Sequence, residues 1–103
     1  MPSQDFRRSD RIADLIKVEI SQVISTEVKD PRIQGITVLN VILTPDMRKA
    51  DIFISQTNSF NEIDPEELIK GLEKAKGFIR KKLSQNLNLK RIPEIFFEIE
   101  DCF

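Results

Sequence analysis

Histidine, tryptophan and tyrosine are absent from this chain of 103 residues, which holds one cysteine and three glycines. Without histidine, the usual general base near neutral pH and the commonest transition-metal ligand are both missing. Cys102 alone can form neither an internal disulfide nor a cysteine-based zinc site, which fits a reducing, cytoplasmic setting. No apolar run approaches the length of a membrane span, and residues 1–10 are too polar for a signal peptide. Carboxylates remain as acid and base groups, and Glu66 with Glu67 or Glu100 with Asp101 are adjacent pairs. Neighbouring positions on a helix or strand point in different directions, so these pairs read as surface solvation rather than as a converging site. Catalysis, a metal, a cofactor, a membrane partner and a small-molecule substrate are therefore not expected.

What is present is 40% apolar and 32% charged, enough Ile, Leu, Val and Phe for one core in one domain over residues 1–103. A monomer is expected. The net charge of -1 conceals a strong segregation. Eight basic residues (Lys70, Lys74, Lys76, Arg80, Lys81, Lys82, Lys90, Arg91) stand against the single acid Glu73 between positions 70 and 91. The compensating acids lie in Glu62, Asp64, Glu66 and Glu67 before the run and in Glu94, Glu98, Glu100 and Asp101 after it. A local field of this kind can hold a polyanion, and a solvated helix rich in lysine is an equal reading. Arg7, Arg8 and Arg11 offer a second basic patch, diluted by Asp5 and Asp10, for which a frayed terminus is an equal reading.

Along the chain, Ser9 reads as the N-cap of a helix running to about Val28, with Ile12, Leu15, Ile16, Ile20 and Val23 on one face. Pro31 and Gly35 break it, and Asp30 is suited to fixing the turn. Arg32 and Lys29 read as parts of that turn. A strand over residues 36–44 is apolar at nearly every position, as if covered on much of both faces. Pro45-Asp46-Met47 turns it into a second strand over residues 49–56, the two forming a hairpin. A polar loop over residues 57–63 leads to Asp64, an N-cap with Pro65 at the first helical position and Glu66 and Glu67 beside the positive helix end. The helical pattern that follows contains Gly71 and Gly77, each costing about 1 kcal/mol relative to alanine. Gly71 reads as a packing glycine, whereas the charges beside Gly77 favour a bend. Pro93 opens a last strand over residues 94–100, so the predicted order is α-β-β-α-α-β. Phe53, Phe78, Phe96 and Phe97 read as core rather than as base-stacking platforms, so any RNA recognition should rest on shape and backbone contacts.

The chain resembles the bacterial ribosome-binding factor A family. The residues that carry the resemblance are Arg7, Arg8, Arg11 and Ile12, then Asp30-Pro31-Arg32-Ile33 with Gly35, Asp46 with Ala50, Ala75-Lys76-Gly77, and the run from Arg91 through Pro93 to Phe97. It implies an α+β, type II KH-like domain, with a three-stranded sheet covered by helices and an Ala-x-Gly bend, Ala75 to Gly77, between the last two helices. It also implies binding to the free 30S subunit and assistance to late 16S rRNA maturation, with no known catalytic activity. A polar tail past the last strand is a further family feature, whereas this chain stops at Asp101-Cys102-Phe103.

The expected RNA contacts are accordingly Arg7, Arg8, Arg11, Arg32, Lys74, Lys76, Arg80, Lys81, Lys82, Lys90 and Arg91. A helix restarting near Gly77 would offer free amides to a phosphate, with Lys76, Arg80 and Lys81 within a turn of them. An α+β domain that binds protein rather than RNA is the alternative, and would show binding that survives high salt. A small hydrolase would need converging carboxylates in a pocket.

Overall fold

The computed structural model describes residues 4–33, 35–56 and 64–100, with the side chains of residues 4–7 outside that description. Its order is α1 (Gln4–Thr26), β1 (Thr37–Leu43), β2 (Lys49–Ser55), α2 (Pro65–Asn86) and β3 (Glu94–Ile99). The three strands form one sheet in the order β1-β2-β3, β1 antiparallel to β2 and β3 parallel to it. Because β2 and β3 run the same way, α2 must cross from one end of the sheet to the other between them. The α+β class and the three-stranded sheet covered by helices are as expected, and the arrangement is consistent with a KH-like layout. No helix among the described residues is long and apolar enough to cross a membrane.

The core lies between the helices and one sheet face. Ala50, Ile52 and Ile54 of β2 and Ile95 and Phe97 of β3 meet Ile16, Ile20 and Val23 of α1 and Leu68, Leu72, Ile79 and Leu83 of α2 in one buried cluster. The opposite face is open: Asn40, Ile42, Phe96 and Glu98 are exposed. β1 is therefore covered on one face, not on much of both. Its apolar run is explained by a register shift between Val38 and Asn40, which moves the buried positions from Val38 to Val41 and Leu43.

Three local chemistries set the element ends. α1 ends at Thr26, with the Glu27 and Val28 amides donating to the Val23 carbonyl at 2.8 and 3.1 Å; Pro31 keeps the helix from resuming, and Ile33 donates its amide to the Asp30 carbonyl at 3.1 Å to close a turn. Gly35 then has φ 85°, a left-handed conformation that side chains disfavour. In the β1–β2 hairpin, Met47 takes φ 62° and its amide donates to the Thr44 carbonyl at 2.8 Å. Asp64 caps α2 as expected, its carboxylate accepting from the Glu66 amide at 3.1 Å with Pro65 at the first turn.

Other expectations need correction. α1 begins at Gln4, so Ser9 is not its cap but a buried position inside it. Nothing between residues 4 and 9 is a helix breaker, and Ser9 precedes Ala13 and Ile16 on the buried face, so packing extends the helix upstream. Leu15 is 53% exposed, since one residue rotates it about 100° from Ile16. Most consequentially, α2 is one helix from Pro65 to Asn86. The Ala75-Lys76-Gly77 bend is not there and the order is α-β-β-α-β. Leu68, Leu72, Ile79 and Leu83 form an unbroken buried stripe on both sides of Gly77, and their burial outweighs the glycine's propensity cost of about 1 kcal/mol. The loop expected over residues 57–63 and the lone Cys102 lie outside the described residues.

Candidate nucleic-acid interface

A helix distributes successive residues around its circumference, so a basic run in sequence is not a basic face in space. α2 sends its cations three ways. Lys76 and Arg80 lie on the flank toward β3. Lys76 Nζ is 2.9 Å from Glu73 and sits 5.6 Å over the Phe96 ring, while Arg80 donates to the Ile92 carbonyl at 3.3 Å. Lys82 lies on the flank toward α1, 2.9 Å from Glu27 and 5.5 Å over the Phe78 ring. Lys74 and Lys81 lie between those flanks on the outside, exposed, with no ion pair among the described residues. The amides near Gly77 are inside a continuous helix and are not offered to a phosphate.

Phe78 and Phe96 are 40% and 39% exposed, so neither is the core residue expected, whereas Phe97 is buried. Lysine stems and charges cover part of each ring, with Lys49 Nζ also 5.0 Å over Phe96.

Between α1's C-terminal end, the Asp30-Pro31-Arg32 turn and α2 runs a groove of about 580 Å³, lined in part by Lys29, Arg32, Lys74, Ala75 and Phe78. Ala75 thus contributes a small side chain to a groove wall rather than to a bend. Arg32 is held on that wall. Its Nη2 is 2.7 Å from Asp30 Oδ2, its amide donates to Asp30 Oδ1 at 2.9 Å, and its Nη1 is 3.7 Å from Glu67. Those hydrogen bonds from Arg32 hold the Asp30 carboxyl down to about 2 and raise the Arg32 guanidinium in turn. Asp30 fixes the loop, as its residue type suggested.

At the opposite end of the molecule a groove of about 730 Å³ opens between the start of α1, the β1–β2 hairpin and the segment joining α2 to β3. It gathers Arg8, Lys90 and Arg91, which the sequence scatters over more than eighty positions, and adds Arg48, which the sequence reading passed over. The signal for Arg48 was weak, because it follows Pro45-Asp46-Met47 and read as part of a turn. Arg11 is exposed on α1, and Arg7 lies in the same helix with its side chain outside the described residues.

The family model described as ribosome-binding factor A matches residues 8–103. Among proteins bearing that name, the one from Syntrophus aciditrophicus is 40% identical over 98 residues, covering 95% of this chain and 78% of its own. The one from Dictyoglomus thermophilum is 41% identical over 96 residues, covering 92% and 78%. The crystal structure of ribosome-binding factor A from Thermus thermophilus superposes with a TM-score of 0.76 at 21% identity, covering 88% of this chain and 93% of that one. A homology model of the Thermus thermophilus factor, fitted into a cryo-EM map of its 30S complex, gives a TM-score of 0.70 at 20% identity over 87% and 92%. At those identities the two structures attest the fold, while the family model and the closer relatives attest descent: the chain belongs to the ribosome-binding factor A family.

Proposed function

We propose that this protein binds the free 30S ribosomal subunit and assists late maturation of its 16S rRNA, acting in the cytoplasm as a single KH-like unit. The observation that carries the reading is the pair Lys74 and Lys81, exposed on the outer rim of α2 and free of ion pairs among the described residues, in a chain whose family is named for ribosome binding. Charges left unpaired on a rigid helix meet phosphates at little reorganisation cost, and contacts to phosphate position a protein without reading sequence. Lys76, Arg80 and Lys82 add to this field from the flanks while remaining tied to Glu73, Ile92 and Glu27. A binding factor rather than an enzyme is supported by the absence of histidine and by the dispersal of the carboxylates: Glu67 faces Arg32 and Lys70, and Glu73 faces Lys76.

The test is co-sedimentation of the full chain with separated small and large subunits at two salt concentrations. Recovery with small subunits is expected, weakening as salt rises, and Lys74→Glu with Lys81→Glu should lower the salt slope by about one unit per lost contact. Recovery with large subunits alone, or with neither, overturns the reading. Undiminished binding by the folded double variant removes α2 from it.

A further inference from the structure

The groove at the hairpin end is chemically unlike the rim of α2. Four cations, Arg8, Arg48, Lys90 and Arg91, border it, all exposed and none in an ion pair among the described residues. The one acid on its lining, Asp46, has Oδ1 turned into the hairpin, where it accepts from the Thr44 hydroxyl at 2.6 Å and the Arg48 amide at 3.1 Å. Between the charges the lining is apolar, with Ile12, Met47 and Leu89 each partly exposed. Met47, with a left-handed φ of 62° and its amide donating to the Thr44 carbonyl at 2.8 Å, lies in the tight hairpin turn that Arg48 follows.

We infer that this groove is a binding site for single-stranded RNA, with phosphates on the arginine and lysine border and bases against the apolar floor. The inference rests on the reading of the chain as an rRNA-binding factor and adds a second site with a different target. An RNA duplex keeps its bases stacked inside and offers only phosphate and ribose, so it cannot use an apolar floor, whereas an unpaired strand can splay a base onto it. The groove's volume lies in the range that encloses a ligand of nucleotide size. No aromatic ring lines it, so it discriminates little between bases; exposed Asn88 is the neutral side chain placed to reach a base edge. Arginines suit the border because a planar guanidinium presents two donors to one phosphate.

The experiment titrates the full chain with a fluorescent oligouridine of about eight nucleotides, within the span one small domain covers. An RNA duplex and an oligoglutamate peptide serve as competitors. Wild type should bind oligouridine in preference to duplex, and Arg48→Ala with Arg91→Ala should weaken that binding and lower the salt slope by about 1.4, from about 0.7 per phosphate contact on a single strand. In wild type, the Met47 and Ile12 methyl resonances should shift on adding oligouridine, a readout that needs no variant. Unmoved methyls, an unaltered slope in the folded Arg48→Ala, Arg91→Ala protein, or displacement by duplex or by oligoglutamate as readily as by unlabelled oligouridine would overturn the site. Small-subunit recovery in the co-sedimentation assay separates the two claims: its loss with oligouridine binding intact defeats the ribosomal reading, and its persistence beside unmoved methyls defeats the groove.

Discussion

Asp30 shows how much of a loop can hang on one carboxylate. It accepts from the Arg32 amide and guanidinium at once, and those hydrogen bonds lower its pKa from 3.8 to about 2. A depressed folded-state value means that the unfolded chain binds the proton more readily, so the stabilisation is fully present above 3.8 and is lost as pH falls toward about 2. Asn at this position keeps an acceptor for the Arg32 amide but loses the charge. Asp30→Asn should therefore melt lower than wild type at neutral pH, and the gap should close across that acid window. Thermal unfolding followed from neutral pH downward checks this, and a gap independent of pH would mean that the carboxylate's charge contributes nothing. At the same scale, Phe78 and Phe96 read as core because phenylalanine usually is. A sequence does not reveal that lysines will lie over the two rings and make their partial exposure tolerable.

Within α2, the two glycines predict opposite outcomes. A Cβ on Gly77 would meet nothing within 4 Å, and the residue sits in ordinary helix. Gly77→Ala should stabilise the protein by up to about 1 kcal/mol, by raising helix propensity and restricting the unfolded chain. A Cβ on Gly71 would lie 3.0 Å from Ile33 Cγ2 and 3.3 Å from Arg32 Cβ. Ile33 is fully buried and its β-branched side chain is stiff, so it cannot yield cheaply. Gly71→Ala should therefore destabilise by about 1 to 3 kcal/mol despite the better propensity. Urea unfolding of both variants decides: stabilisation by both would show that the approach of α2 to the Asp30-Pro31-Arg32 turn is loose. The element as a whole also decides what the basic run can do. Twenty-two residues of helix send Lys76, Lys82 and Lys81 to three sides, and only the outermost are left without partners among the described residues.

Across the whole molecule, the core is a single cluster between two helices and one face of a three-stranded sheet. Phe97 is the one buried phenylalanine among the described residues and pairs in register with Ile52, which is fully buried. Phe97→Ala should cost about 3 to 5 kcal/mol, a large share of the stability of a domain this size. Equilibrium denaturation gives the value, and a near-neutral change would mean that the cavity collapses without loss. Because one sheet face takes all the packing, polar and basic groups are left to the two ends and the outer rim of α2. A chain of net charge -1 can thereby present two separate basic sites.

Local chemistry was legible without coordinates. Pro31 and Gly35 impose a break, Asp64-Pro65 caps a helix, and the alternation of Ala50, Ile52 and Ile54 sets which face of β2 is buried, because each depends on the backbone preferences or spacing of a few adjacent residues. Family membership was legible for the same reason, since motif order and spacing are sequence properties. Packing decided the rest. Whether Gly77 bends a helix depends on the stripe from Leu68 to Leu83 finding one continuous partner surface, and whether Leu15 or Phe96 is buried depends on where that surface ends. The groove bordered by Arg8, Arg48, Lys90 and Arg91 exists only because α1 and the hairpin bring distant segments to one end of the sheet, a long-range juxtaposition that no local pattern encodes.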